Sequence, residues 1–359
     1  MVILQVFSAF VAWIHTLTAF AYLPELTQDA KLLASWTASF HVNQYIALVL
    51  FLVYMLGILR ATGFGDDVIL ASRVASISSL AIATPCYMWT WTSLMKRRDA
   101  FRPLPQGSML ATVGFRKVFL TSIVLYTRYR ALMWFFVNVA LVEAAQQSIA
   151  AISLTFMLDT LQLTVTEYGI AILMLFVFGT VGTIIGKVSM AWVDPIRSNQ
   201  ISQIVTIANT AMAAVILTGP GQQMRAYIVA SIWGLGAGWK TMVERFMITQ
   251  VIPKGQDAEL MGFYLFSSQV LVWLPTLIFT AMNEAGVSQR VGVSMLIPFF
   301  LGGIVSLWMM GPYDDAVRLA REEEEEEVGS SDDGSGNGVE EKIDIDEDGE
   351  EDISIHTDL

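Results

Sequence analysis

Glu143 is the residue of this sequence best placed to carry chemistry, because it is a carboxylate inside a long apolar run. The run covers residues 131–157, and Glu143 falls near its middle. An ionisable group at the centre of a bilayer costs about 2.5 kcal/mol or more, so such groups are rare there and mark ion or substrate pathways.

Gln146 and Gln147 follow Glu143 at positions i+3 and i+4, which places the three side chains on one face of a helix. Asn138 is about 140° away around the helix and need not share that face. We predict that Glu143, Gln146 and Gln147 line a substrate or proton pathway, where they bind a solute's ammonium group or carry a coupling proton. The alternative is a polar contact that only joins helices.

The elements that position Glu143 must be membrane-spanning helices. Of 359 residues, 54% are hydrophobic and 15% charged, and the mean hydropathy is +0.55, which a water-soluble domain would find hard to cover with polar surface. Nine runs have roughly the 17–25 residues that cross about 30 Å of hydrocarbon. They are residues 2–22, 38–60, 67–92, 131–157, 168–190, 201–219, 225–240, 261–282 and 291–310, and the run at 225–240 is the weakest.

Turn residues fall between these runs, as they must because irregular backbone cannot face lipid. The turn signals are residues 63–67, Asp194-Pro195, Gly219-Pro220-Gly221, Pro253-Lys254-Gly255 and residues 283–286. Small residues also recur every four positions, at Gly182 and Gly186 and at Ala230, Gly234 and Gly238. Such spacing predicts helix faces whose backbones approach closely.

The charges of the chain are unevenly distributed. The net charge is −12, but 20 of the 33 acidic residues and only 3 of the 21 basic ones lie from Asp314 onward, which leaves a mildly basic body. Residues 95–130 contain eight Lys and Arg against one Asp, so the positive-inside rule makes this loop cytosolic. Alternation along the chain then makes the loop from Lys240 to Lys254 cytosolic, and the acidic tail with it.

Three apolar runs precede the basic loop and six follow it. Two six-helix halves joined by a long cytosolic loop is the architecture of major facilitator transporters. We therefore predict an all-α, polytopic membrane protein with a major facilitator-like helical bundle, in which about nine of an expected twelve transmembrane helices are present. Its parts are a partial N-terminal half (1–94, three helices), a basic cytosolic linker (95–130), a six-helix C-terminal half (131–312) and a disordered, acidic cytosolic tail (313–359).

A pattern around the Pro-Lys-Gly turn is more specific than the architecture. It comprises Arg245, Pro253, Lys254, Gly255, Glu259, Gly262, Tyr264, Trp273 and Pro275. This pattern resembles the autophagy-related vacuole effluxer family of the major facilitator superfamily. Ala21–Leu26 looks like the end of that family's fourth helix, and the run from Arg73 through Pro85 is similar to its sixth helix. The resemblance therefore covers about residues 1–310.

The resemblance implies a secondary active transporter that exports amino acids from a vacuole or lysosome-like compartment during autophagy. We expect Arg245, Lys254 and Glu259 to form an ion-pair gate on the cytosolic side, with an ordinary interfacial loop as the alternative. His15 and His41 lie in or beside apolar runs and are further titratable candidates.

Two other functions stay open, namely a facilitator of a sugar, peptide or other metabolite, and a transport-dead scaffold whose acidic tail binds cytosolic proteins. The sequence has no metal-ligand spacing, no nucleophile motif and no phosphate-binding loop, since WGLGAGWK at 233–240 lacks the Gly-Lys-Ser/Thr ending. We expect no enzyme activity, cofactor, metal or nucleic-acid partner. The expected partners are the lipid bilayer, a small solute and a coupling proton.

Overall fold

Helices form all of the regular secondary structure in the part of the chain that the structure describes. The computed structural model describes residues 30–62, 68–94, 129–251 and 257–313, with single residues at 122, 123, 125, 315 and 318. Within these ranges the α-helices are α1 (Ala30–Thr62), α2 (Val68–Trp89), α3 (Arg130–Thr155), α4 (Val165–Ser189), α5 (Pro195–Ile216), α6 (Gln223–Val251), α7 (Asp257–Val270), α8 (Trp273–Glu284), α9 (Gln289–Ser294) and α10 (Ile297–Met310). Short π-helical segments extend α2 and α3.

Several stretches of the described chain are long and apolar enough to cross a membrane. They are Leu32–Ile58, Arg130–Thr160, Val165–Ser189, Leu260–Glu284 and Gln289–Met310. Each overlaps a run predicted from the sequence. The predicted runs at 67–92, 201–219 and 225–240 also form helices, namely α2, α5 and α6. The run at 2–22 lies outside the described residues.

The predicted turns coincide with helix ends wherever the structure describes them. Asp194 caps α5 because its carboxylate accepts a hydrogen bond from the backbone N–H of Ile196 at 2.8 Å, and Pro195 takes the first helical position, where its missing N–H is harmless. Gly221 and Gly286 have φ angles of +82° and +78°, which glycine adopts without a steric penalty. The signals at 63–67 and 253–255 lie outside the described residues.

Helices α4 and α6 contact each other through their backbones. A Cβ atom added at Gly234 would lie 2.0 Å from the carbonyl oxygen of Leu175, and one added at Gly238 would lie 2.0 Å from that of Gly179. A Cβ atom at Gly182 would lie 2.1 Å from a carbonyl oxygen of α6. The structure thus confirms the close approach that the small-residue spacing predicted.

The prediction of a loop beginning at Lys240 was wrong. Helix α6 continues for another eleven residues, to Val251. The sequence indicated an early end because charged residues enter at Lys240 and lower the hydropathy. The helix persists because these charges are paired within the protein interior.

The span Leu260–Glu284 is interrupted between α7 and α8. Pro275 explains the break, because it has no backbone N–H and its ring would clash with the carbonyl group of Leu271, four residues earlier. At the break, the hydroxyl group of Ser148 on α3 donates a hydrogen bond to the carbonyl oxygen of Val272 at 3.2 Å. The carbonyl oxygen of Leu271 accepts a hydrogen bond from the backbone N–H of Leu274 at 3.0 Å instead, so the break is bonded both within its own segment and to α3.

Candidate functional site

Helix α3 carries Glu143 near the middle of the membrane-crossing stretch Arg130–Thr160. The Glu143 carboxylate forms an ion pair with the ammonium group of Lys240 on α6. Its second oxygen accepts a hydrogen bond from the side-chain amide of Gln147, one turn later, at 3.1 Å. The Glu143 side chain is 14% exposed, so one edge of it remains accessible.

Lys240 lies deeper than Glu143, with only 2% of its side chain exposed. Its Nζ atom also lies 2.8 Å from a carboxylate oxygen of Glu244, one turn further along α6. A buried ammonium group needs such partners, because the loss of hydration is repaid only by close and well-formed ion pairs. Lys240 is thus shared between one carboxylate on α3 and another on α6.

Glu244 joins this group to α7. The Tyr264 hydroxyl group donates a hydrogen bond to Glu244, whose side chain is 1% exposed. The guanidinium group of Arg245 lies 4.4 Å from the centre of the Tyr264 ring, which is within the range of a cation–π interaction. We call Glu143, Lys240, Glu244, Arg245 and Tyr264 the buried charge cluster. Its two carboxylates and two cations give it no net charge.

The buried charge cluster lies between two apolar cores. One core joins α3, α5, α6, α7 and α10 and includes Val139 and Val243. The other joins α3, α4, α5, α6, α8, α9 and α10 and includes Val142 and Trp233. The cluster is therefore surrounded by low-dielectric material, in which electrostatic interactions are stronger than in water.

A sequence model of the vacuole effluxer Atg22-like family matches residues 4–315. The chain belongs to this family. The match confirms the family predicted from the pattern around Arg245, Glu259 and Tyr264. Together with the apolar helices, it makes the chain a multi-pass membrane protein.

No curated protein matches this Atg22-like chain significantly. A crystal structure of the Major Facilitator Superfamily transporter FucP in the outward conformation aligns with 12% identity and a TM-score of 0.47, covering 68% of this chain and 55% of FucP. The chain therefore spans about half the length of that transporter.

The three residues predicted to share a pathway divide between two contacts in this Atg22-like chain. Gln147 contacts Glu143, whereas the amide of Gln146 donates to the hydroxyl group of Thr241 on α6 at 3.4 Å. Both glutamines thus lie at the junction of α3 with α6. Asn138 lies elsewhere, because its amide donates to the carbonyl oxygen of Gly303 on α10 at 2.9 Å.

The predicted gate residues of the Atg22-like chain are only partly described. Arg245 lies within α6, six residues before the helix ends, and contacts Tyr264. Glu259 belongs to α7 by its backbone, but its side chain, like the whole of Lys254, lies outside the described residues. The ion-pair gate therefore stays a prediction.

Helix α1 of the Atg22-like chain contributes a titratable candidate near the cluster. The His41 side chain is buried, lies 3.4 Å from the side-chain oxygen of Gln44, and is within electrostatic range of Arg245. His15 lies outside the described residues. Among the residues that the structure describes, no group of three or more His, Cys, Asp or Glu side chains is placed to hold a metal ion.

Sequence reasoning missed Lys240 and Glu244 as site residues. Their spacing of four residues is the pattern of an ion pair within a helix, and it would have indicated that α6 continues past residue 240. Tyr264 was noted for the family resemblance only. Its hydrogen bond to Glu244 joins residues twenty positions apart on different helices, and local sequence carries no signal for such a contact.

Proposed function

We propose that this chain is the membrane-embedded body of a secondary active transporter of the major facilitator type. It exports amino acids from a vacuole or lysosome-like compartment during autophagy, by alternating access and with proton coupling. The observation that carries the proposal is the ion pair between Glu143 and Lys240, which joins two helices at the middle of an apolar stretch.

A purely structural role accounts poorly for this ion pair. Replacing a buried ion pair by well-packed apolar residues is often neutral or stabilising, so a scaffold gains little from keeping one. A carrier of polar solutes, by contrast, needs charged and hydrogen-bonding groups inside the membrane. Glu143 supplies the charge, while Gln146 and Gln147 supply amide groups on the same junction.

The family description as vacuole effluxers supports the direction and compartment of transport. A zwitterionic amino acid suits a neutral cluster that contains both carboxylates and cations. We propose further that Glu143 binds the ammonium group of the solute, and that Arg245, Lys254 and Glu259 form the cytosolic gate. The basic segment 95–130 supports a cytosolic linker by the positive-inside rule, and the acidic tail 313–359, also cytosolic in this topology, is a surface for cytosolic proteins.

Counterflow of labelled neutral amino acids into proteoliposomes tests the proposal. We expect the purified 359-residue chain to accumulate label, and Glu143→Gln to abolish this uptake because the substitution removes the charge. Glu167→Gln is the matched control, since Glu167 belongs to the capping box of α4 and glutamine also fulfils that role. The control should transport like the unaltered chain.

Three other outcomes of the counterflow experiment would each overturn one part of the proposal. Absence of uptake by folded, unaltered protein would overturn the amino-acid assignment and favour another solute or a scaffold. Uptake by Glu143→Gln at the unaltered rate would instead keep the transporter and remove Glu143 from its pathway. A proton gradient that leaves the uptake rate unchanged would remove the coupling proton.

A further inference from the structure

We propose that Lys240 is a tethered cation that occupies the ammonium site beside Glu143 when no solute is bound, and that the ammonium group of the solute displaces it. The inference rests on the proposed transport function. It adds the residue with which the solute competes, and the step of the transport cycle that needs this residue.

The geometry of Lys240 is that of a bound ligand between two carboxylates. Its ammonium group contacts Glu143 on α3 and lies 2.8 Å from Glu244 on α6. The ammonium group of an amino acid is also a primary ammonium ion with three donors, so it can form the same ion pair with Glu143. The two cations are thus chemically equivalent at this position.

The two carboxylates differ in their exposure, and this difference decides which one a solute reaches. The Glu143 side chain is 14% exposed, whereas that of Glu244 is 1% exposed and that of Lys240 is 2% exposed. A solute that enters the protein therefore meets Glu143 first. Glu244 is closed off by Lys240 and by the hydroxyl group of Tyr264.

Lys240 can leave Glu143 without losing all of its partners. Glu244 lies one turn away on the same helix and keeps the ammonium group paired after the exchange. The flexible four-carbon stem of lysine permits such a shift without movement of the backbone. An arriving zwitterion adds one positive and one negative charge, so the cluster stays neutral throughout.

A tethered cation matters most when the carrier returns empty. With Lys240 on Glu143, the closed intermediate contains no unpaired carboxylate at the middle of the membrane, where such a charge is costly. Without Lys240, only the solute can neutralise Glu143, so the protein changes conformation mainly when loaded. Net efflux therefore requires Lys240, whereas exchange of solute for solute does not.

The test compares net efflux with exchange in the same proteoliposomes, loaded with labelled neutral amino acids. We expect Lys240→Met and Lys240→Gln to lower net efflux into solute-free buffer by about tenfold or more, because the empty carrier holds a buried, unpaired carboxylate. Exchange should stay within about twofold of the unaltered rate. Its half-saturation concentration should fall by about tenfold, because the internal competitor is absent.

Lys187→Met is the matched control. Lys187 is an exposed lysine near the end of α4, and its ammonium group contacts the hydroxyl group of Ser35 at 3.1 Å. This variant should leave both net efflux and exchange unchanged. A lowered net efflux in the control as well would overturn the inference, because the effect would then follow from losing any lysine.

The remaining outcomes separate this inference from the proposed function. If the unaltered chain moves no amino acid in either mode, both are overturned. The unaltered chain could transport amino acids while both Lys240 variants lose net efflux and exchange together. That result would support the transport function but overturn the role of Lys240 as a tethered cation, because Lys240 would then only join α3 to α6. If both variants fail to fold even when Glu244→Gln removes the second carboxylate, the inference also falls, because the pairing of Lys240 with Glu143 would then be indispensable to the fold.

Discussion

Helix α6 makes two contacts of opposite character, with α4 on one side and with α3 on the other. Toward α4, the backbones meet directly at Gly234 and Gly238, and no side chain lies between them. Toward α3, the backbones stay further apart, and the side chains of Lys240 and Glu143 bridge the gap. One helix thus combines a contact fixed by sterics with one fixed by electrostatics.

The difference indicates which of the two contacts can rearrange, as the proposed transport cycle would require. Backbone atoms at van der Waals distance have no alternative arrangement, so α4 and α6 must move together. A lysine between two carboxylates has alternative rotamers and alternative partners, so the junction of α3 and α6 can rearrange without exposing an unpaired charge. Motion among the helices around the buried charge cluster is therefore expected at α3 and not at α4.

The largest expected effect comes from breaking the steric contact. We expect Gly238→Ala to destabilise the protein by about 3 kcal/mol or more, because the new Cβ atom would overlap the carbonyl group of Gly179. Thermal unfolding in detergent, followed by size-exclusion chromatography, measures this loss. Gly57→Ala on α1 is the control, since no atom lies within 4 Å of its added Cβ. Its unfolding temperature should equal that of the unaltered protein or be slightly higher. Equal unfolding temperatures of Gly238→Ala and Gly57→Ala would refute a close contact between α4 and α6.

A smaller effect should separate the two carboxylates of the charged contact. We expect Glu244→Gln to cost about 2 kcal/mol, because Glu244 is the more deeply buried carboxylate and binds both Lys240 and Tyr264. Glu143→Gln should cost only about 1 kcal/mol, because Lys240 then still pairs with Glu244. The same unfolding assay compares them. The reverse order would mean that Glu143 is the structural carboxylate and Glu244 the exchangeable one.

The smallest effect should come from the hydroxyl group of Tyr264. Tyr264→Phe keeps the ring beneath Arg245 and removes one hydrogen bond to a carboxylate, so we expect a loss of about 1.5 kcal/mol. Tyr54→Phe is the matched control, because the Tyr54 hydroxyl group is 3.5 Å from that of Ser78 in an exposed position. If Tyr54→Phe loses as much stability as Tyr264→Phe, the buried hydrogen bond to Glu244 contributes no more stability than an exposed one.

The steric contact could be read from the sequence, whereas the charged one could be read only in part. Glycines four residues apart in two apolar runs predict close helix packing, because the signal is local to each helix. Glu143 was also predicted, since a charge in an apolar run is conspicuous. Its pairing with Lys240 was missed because a hydropathy scale gives every lysine the same polar value, whether or not it has a buried partner. Only the tertiary structure shows which charges neutralise each other.

The break between α7 and α8 has a consequence for how the protein is inserted into the membrane. The two segments contain 14 and 12 residues, and helices of those lengths span roughly 21 and 18 Å, which is too short for either to cross the bilayer alone. They must enter as one interrupted unit with irregular backbone at its centre, and lipid cannot satisfy that backbone. The segment meets part of this need itself, because the N–H group of Leu274 donates to the carbonyl oxygen of Leu271 at 3.0 Å. Ser148 on α3 adds a hydrogen bond to the carbonyl oxygen of Val272. The break is therefore expected to face α3 and not lipid once the segment is in the bilayer.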